Sequence, residues 1–171
     1  MIRSGFVVTA GNGRPVPSAG GSLLASSAAT GGAFSLLVSD SPADDHVPLH
    51  VHDAVDEAFY ILDGRYHIHC GEQQWFAAAN DFVFLPRGVA HSYDVVSGPA
   101  RKLIFAVPGG IEDFFDDLHN GVDPATLTHR HLTHDGRSGQ VEPNQQVGPR
   151  SEQVTDNAVL PLGDPAAPAL R

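Results

Sequence analysis

The sequence has very little cysteine and few cations, and both shortages exclude classes of function. Cys70 is the single cysteine in 171 residues, so neither an intramolecular disulfide nor a cluster of thiolate ligands can form, and we expect a buried thiol. Ten lysine and arginine residues stand against twenty aspartate and glutamate residues, which gives a formal net charge of −10. Because this charge repels phosphate groups, we expect no nucleic-acid partner and no anionic membrane surface.

Long apolar runs are also missing. No stretch approaches the roughly 20 consecutive apolar residues that cross a bilayer, and Phe6–Val8 is too short for the hydrophobic region of a secretory signal. We therefore expect a cytoplasmic protein that does not insert into membranes. A chain of 171 residues is long enough for one domain with a proper core and too short for two.

The composition divides the chain into three parts. Residues 1–32 are rich in glycine, serine, alanine and proline and form an expected N-terminal arm, in which Phe6–Val8 and Leu23–Ala25 are candidate strands. From residue 33, short apolar runs alternate with turn residues, which is typical of an antiparallel sandwich or barrel. The expected strands are Ala33–Ser39, Leu49–His52, Ala58–Leu62, Tyr66–Cys70, Gln74–Ala77, Phe82–Leu85, Ser92–Val96 and Lys102–Val107.

The apolar period changes after Pro108. A stripe at i, i+3, i+4 and i+7 predicts a short helix that ends at Asn120-Gly121, and it consists of Ile111, Phe114, Phe115 and Leu118. Residues 33–120 would then form the barrel and its closing helix. Asp123-Pro124 is a candidate start for a second short helix through Leu132, and residues 121–171 otherwise form an expected polar, extended tail.

Four residues have the chemistry and spacing of a metal site. His50 and His52 lie two residues apart on an expected strand, so both side chains leave one face and can reach a single ion. Glu57 adds a carboxylate from the next strand, and His91 follows a turn that contains proline and glycine. Three imidazoles and one carboxylate suit one divalent Fe, Mn, Ni, Co, Cu or Zn ion rather than Ca or Mg.

These residues carry a resemblance to a known family. His-x-His-x4-Glu-x6-Gly, matched by His50, His52, Glu57 and Gly64, resembles the first cupin motif, and Pro86-x-Gly88-x2-His91 resembles the second. Asn80 stands where the second motif usually begins with glycine, and asparagine tolerates the positive φ of such a turn. Residues 56–64, 84–91 and 108–115 narrow the resemblance to bacterial single-domain cupins similar to quercetin 2,3-dioxygenase. It implies an all-β jelly-roll barrel, or double-stranded β-helix, with one or two short C-terminal helices.

The resemblance also implies an activity, although cupins serve many reactions. The leading hypothesis is a metal-dependent dioxygenase that acts on a flavonol-like or other enolisable phenol, with dioxygen as second substrate. Glu57 would bind the metal and accept the substrate's hydroxyl proton, because burial can raise the pKa of a carboxylate. The alternatives are a redox-neutral isomerase, cyclase or lyase in which the metal is a Lewis acid, and a non-catalytic cupin that binds a small molecule.

The pocket residues follow from the alternation of side chains along strands. Phe59 and Ile61 share the inward parity of Glu57, and Tyr66 and Tyr93 are the tyrosines expected beside them. His67 and His69 have the opposite parity and are expected to be a solvated, outward-facing pair. The same solvated role is expected for the tail histidines His129, His131 and His134. Barrel edges and the strand-bearing arm predict a homodimer whose arms are exchanged or paired across the two-fold axis.

Overall fold

The computed structural model describes residues 4–123, and strands make up most of them. A 3-10 turn spans Pro17–Ala19, and the described residues contain two helices, α1 (Ser27–Thr30) and α2 (Ile111–His119). The strands are β1 (Arg14–Val16), β2 (Gly21–Ala25), β3 (Ser35–Ser41), β4 (His46–His50), β5 (Asp56–Cys70), β6 (Gln73–Ala78), β7 (Phe82–Leu85) and β8 (His91–Val107). The expected all-β fold with a short C-terminal helix is confirmed, and the second expected helix lies outside the described residues.

Two long strands organise the sheet. The antiparallel order is β1-β2-β3-β8-β5-β6, while β4 pairs with β8 and β7 pairs with β5. The first half of β5 therefore lies between β7 and β8, and its second half lies between β6 and β8. Similarly, β8 pairs with β4 through its first residues and with β3 through its last. Since each long strand joins different partners at its two ends, the sheet closes around one core.

The sequence predicted β5 and β8 as four separate strands. The turn residues Asp63-Gly64 and Ser97-Gly98-Pro99 separate the expected strands in sequence, but both segments lie within continuous strands. The β5–β8 pairing shifts register at three places between Ile61 and Tyr66. The turn residues therefore produce bulges that bend the paired strands, not hairpins.

Gly64 shows why glycine is needed at this bend. Its φ is +77°, a conformation that costs an L side chain energy, and a Cβ at this position would overlap Ala100 on β8. Backbone conformation and close packing therefore both require glycine where the first cupin-like motif ends.

The N-terminal segment belongs to the sheet. β2 pairs with β3, and β1 pairs with β2, so residues 14–25 extend the β-structure of their own chain. The prediction that Phe6–Val8 is a strand is wrong, since these residues have no regular structure and their side chains are exposed. The predicted strand at Leu23–Ala25 is confirmed as part of β2. The expected homodimer stays a prediction.

Helix α2 closes one side of the barrel as its apolar stripe predicted. Ile111 is buried, and Phe115 packs against the core. Glu112, in the first turn, is also buried: it accepts hydrogen bonds from the Ser27 backbone at 2.6 Å and from the Ser35 hydroxyl. Neither α1 nor α2 is long and apolar enough to span a membrane.

The core contains the side chains that alternate inward along β5 and β8. Phe59, Ile61, Tyr66 and Ile68 are fully buried, and Cys70 is buried as expected. Burial raises the pKa of the Cys70 thiol. The predicted parity of β5 is therefore correct, and the four candidate ligands lie on this same inward side.

Candidate metal centre

Four different parts of the fold deliver the four candidate ligands. His50 is the last residue of β4, Glu57 is the second residue of β5, and His91 is the first residue of β8. His52 lies just beyond β4, not within it as predicted, because β4 ends at the position where His50 pairs with His91. The structure nonetheless brings all four side chains to one place.

The distances fit a single ion. Ring centroids are 4.3 Å apart for His50 and His91, 5.0 Å for His50 and His52, and 5.4 Å for His52 and His91. Glu57 Oε2 lies 3.3 Å from His91 Nε2 and 3.9 Å from His52 Nε2. One donor atom from each residue lies within 4.8 Å of those of the other three. His52, Glu57 and His91 are buried, and His50 is half-buried.

Backbone carbonyls orient two of the imidazoles. The His50 Nδ1–H donates to Pro48 O at 2.8 Å, and the His91 Nδ1–H donates to Val89 O at 2.9 Å. This tautomer leaves the Nε2 lone pair as the ligand, which is the usual arrangement around a metal. His91 Nε2 is buried and forms no well-aligned hydrogen bond within the described part of the chain, and Glu57 Oε2 lies 3.3 Å from it. A buried nitrogen with this environment, beside a carboxylate and two further imidazoles, fits a borderline divalent transition metal.

The lowered pKa values of His50 and His52 leave both imidazoles able to bind a metal ion. Burial lowers the pKa of His52 to about 4, despite the opposing effect of Glu57. Burial and the neighbouring His91 also lower the pKa of His50. Both rings are therefore neutral at pH 7, and neither must lose a proton to bind an ion.

Glu57 differs from the sequence-based expectation. Burial favours its neutral acid, but His91, His52 and His50 outweigh burial, so the pKa of Glu57 is lowered instead of raised. The same interaction raises the pKa of His91 against the effect of burial. Without an ion, Glu57 is thus a carboxylate and His91 is the imidazole that most readily keeps a proton.

An ion pair braces the turn before His91. The Arg87 side chain binds both carboxylate oxygens of Asp56, at 3.0 and 2.6 Å, and also donates to Val107 O at 3.2 Å. These bonds lower the pKa of Asp56 to about 2. Arg87 therefore ties the turn to Asp56, the residue next to Glu57.

A buried lysine is the main feature that the sequence did not reveal. Lys102 is fully buried, and its Nζ lies 4.1, 4.6 and 5.3 Å from the ring centroids of Tyr93, Tyr66 and Phe59. Its hydrogen bond to Ser41 is long, at 3.4 Å, and none of the ion pairs within residues 4–123 involves it. Burial lowers the pKa of Lys102 to about 8, although Glu57 opposes this change.

The predicted pocket residues are all buried, but they do not share one role. Phe59, Ile61 and Tyr66 are packed in the core, where Phe59 and Tyr66 contact Tyr93 edge to face. Tyr93 also lines a cavity of about 370 Å³ between residues 17–20, parts of 39–47 and α2. Their role towards a substrate stays a prediction. The tail histidines lie outside the described residues.

Comparisons with known proteins agree with this geometry. Residues 36–106 match the family model for the cupin domain. Quercetin 2,3-dioxygenase of Bacillus subtilis (strain 168) is 25% identical over 103 residues, which cover 60% of this chain and 31% of that protein. Quercetin 2,3-dioxygenase of Aspergillus japonicus is 27% identical over 107 residues, which cover 58% and 30%. The match thus spans about a third of each relative.

Solved cupin structures are among the chains similar to this one. An RmlC-like cupin from Shewanella frigidimarina aligns with a TM-score of 0.49 at 18% identity, over 56% of this chain and 82% of the other. The family match covers β3 to β8 and includes all four candidate ligands. Residues 36–106 therefore match the cupin domain, and over this region the chain is similar to the quercetin 2,3-dioxygenases.

Proposed function

We propose that this protein is a metal-dependent oxygenase that acts on a flavonol-like or other enolisable phenol. The observation that carries the proposal is the convergence of three imidazoles and one carboxylate inside a largely apolar barrel. The similarity to two quercetin 2,3-dioxygenases supports this reaction class over other cupin chemistries. It is a proposal because about two thirds of each relative has no counterpart in the match.

His50, His52, Glu57 and His91 would hold the ion. A divalent transition metal there supplies a Lewis-acid position and, when it is redox-active, reactivity towards dioxygen. The carbonyl-bound Nδ1 atoms of His50 and His91 fix the direction of both rings. The protein thus presents its ligands without reorganising them.

Glu57 is the candidate proton acceptor. Its lowered pKa keeps it ionised at neutral pH, so it can accept the hydroxyl proton of an enolic ligand that lies against it. The lowered pKa also makes it a weaker base than burial alone would produce. A second positive charge in the barrel would add to the effect of the metal in favouring ionisation of the ligand.

Lys102 carries a positive charge that can favour the ionised form of the ligand. A protonated amine inside the barrel, without a carboxylate partner, stabilises an anion that forms nearby. The charge of Glu57 already influences Lys102, which shows that the two groups interact electrostatically. We therefore include Lys102 as the residue that favours the ionised form of the substrate.

The aromatic side chains keep water out. Phe59 and Tyr93 pack edge to face with centroids 5.5 Å apart, on the strands that carry Glu57 and His91. Tyr93 also faces the 370 Å³ cavity, whose lining includes none of the four candidate ligands. An apolar wall strengthens the electrostatic interactions between ligand and protein.

The test is an oxygen-uptake assay on protein loaded separately with Fe, Mn, Co, Ni, Cu and Zn. Quercetin and simpler enolisable phenols serve as substrates, and mass spectrometry identifies products. We expect oxygen uptake with at least one metal, and a loss of at least about 100-fold in turnover for Glu57→Gln. The matched control is Glu72→Gln, which changes an exposed glutamate and should retain full activity.

Three outcomes would contradict the proposal. Turnover that continues without oxygen indicates a redox-neutral isomerase, cyclase or lyase. Tight binding of a small molecule without any product indicates a non-catalytic cupin. Unchanged turnover in Glu57→Gln, with the metal still bound, removes the carboxylate from the reaction.

A further inference from the structure

A second group of metal-ligating side chains lies on the outer face of the barrel. Register places His46 of β4 opposite Asp94 of β8, and Asp94 opposite His67 of β5. His69 lies two residues further along β5, on the same outward face as His67. Three neighbouring strands thus present three imidazoles and one carboxylate side by side, and the strand pattern alone could not place Asp94 and His46 there.

The geometry of this outer cluster resembles that of the barrel interior. The ring centroids of His67 and His69 are 4.4 Å apart at an interplanar angle of 61°, compared with 4.3 Å and 66° for His50 and His91. One donor atom each from His67, His69 and Asp94 lies within 4.8 Å of the other two. All three side chains are partly exposed, so an ion can reach them from solvent.

We propose that His67, His69 and Asp94 form a second site for a divalent transition metal, outside the barrel and separate from the candidate metal centre. Two imidazoles and one carboxylate suit Zn²⁺ and similar borderline ions, whereas Ca²⁺ and Mg²⁺ prefer oxygen ligands throughout. Three protein ligands leave a coordination position for water. The site extends the solvated role that the sequence predicted for His67 and His69.

Neighbouring residues hold these ligands in place. The His67 ring stacks on Phe76 with centroids 4.7 Å apart at an angle of 20°. Asp94 Oδ1 is bonded to His46 Nδ1 at 2.5 Å, so His46 orients the carboxylate as outer residues commonly do around metal ligands. Burial and the neighbouring His69 lower the pKa of His67, which leaves this ring neutral and able to coordinate.

The site has a structural consequence. An ion bound there links β5 and β8, the strands that also carry Glu57 and His91. Binding to the folded state alone raises stability by mass action, by an amount that depends on the free ion concentration. The outer ion is therefore expected to raise the melting temperature, whichever reaction the barrel performs.

The experiment measures zinc stoichiometry by calorimetry and elemental analysis on the full chain. The reference protein carries asparagine at 129, 131 and 134, so that tail histidines contribute no binding. We expect two zinc ions in this protein and one in the double variant His67→Asn/His69→Asn, with a smaller zinc-induced rise in melting temperature. Asp94→Asn should weaken the outer site by at least about tenfold, and His119→Asn, which changes an exposed histidine, should change nothing.

A second measurement needs no variant at the site. Zn²⁺ should protect His67 and His69 of the reference protein from modification by diethylpyrocarbonate, as read by mass spectrometry of the peptides. The same number of zinc ions in the reference protein and the double variant, or absence of protection, would each overturn the inference. Because no readout involves turnover, failure of the oxygenase proposal leaves this test unaffected.

Discussion

Lys102 should make the protein less stable than it would be with an apolar residue at the same position. The side chain is fully buried, and the pKa of its amine falls from 10.5 to about 8 on folding. Each tenfold change in a protonation equilibrium corresponds to about 1.4 kcal/mol, so this fall costs about 3 kcal/mol when both states carry the proton. Lys102→Met fills a similar volume without the charge and should raise the free energy of unfolding by about that amount at pH 7.

The sign of the pH dependence follows from proton binding. Between about pH 8 and 10.5 the unfolded chain holds the Lys102 proton and the folded chain releases it, so stability rises with pH. The gain from Lys102→Met should therefore fall from about 3 kcal/mol at pH 7 to about 1.5 kcal/mol at pH 9.5. Burial raises the pKa of Tyr66 to about 12 and that of Tyr93 well above 10. These two hydroxyl groups therefore lose their protons on unfolding only above about pH 10.

The assay is urea denaturation of metal-free protein at pH 7 and pH 9.5. The matched control is Arg101→Met, which removes a cation from the adjacent, exposed position of β8. It should change stability by less than about 1 kcal/mol at both pH values, because exposed ion pairs contribute little. A gain for Lys102→Met that is the same at both pH values, or a loss at pH 7, would refute the reasoning. Loss of turnover in the more stable variant would support a functional reason for the lysine.

Three further outcomes can be measured on the same protein. Ion binding at the candidate metal centre should release about one proton near pH 6, because the pKa of His91 is raised while that of His52 is about 4. Calorimetry in buffers of different ionisation enthalpy measures the number of protons released, and a release of three protons would contradict the prediction. Gly64→Ala should cost about 3 kcal/mol in urea denaturation, since strain and overlap add, whereas Gly88→Ala, with positive φ but open space, should cost about 1 kcal/mol. Arg87→Lys should weaken metal binding about tenfold by equilibrium dialysis, because lysine cannot make the two-point contact that braces the turn; unchanged affinity would remove this residue from the site.

The sequence determined the candidate ligands and much of the β-structure. The spacing of His50 and His52, the carboxylate of Glu57 and the turn before His91 are local features, and each one needs only a few neighbouring residues to be recognised. Alternation along β5 correctly placed Tyr66 inward and the histidines beside it outward. Helix α2 was predictable for the same reason, since its apolar period is contained within about two helical turns.

Other features depended on which strands become neighbours. The sequence is apolar on both faces of residues 103–107, so it did not show that Lys102 faces inward with Ile104 and Ala106. Turn residues within β5 and β8 could not be distinguished from hairpin turns, because pairing with a distant strand decides between a bulge and a reversal. The lowered pKa of Glu57 likewise required the three imidazoles around it.

The outer cluster shows this division most clearly. Two histidines two residues apart on β5 are visible in the sequence, but they become a candidate metal site only when register brings Asp94 from β8 beside them. The local sequence pattern thus showed which types of residue lie on each face of the barrel. Long-range strand pairing decided which of them meet, because register depends on the packing of the whole sheet and not on any one segment.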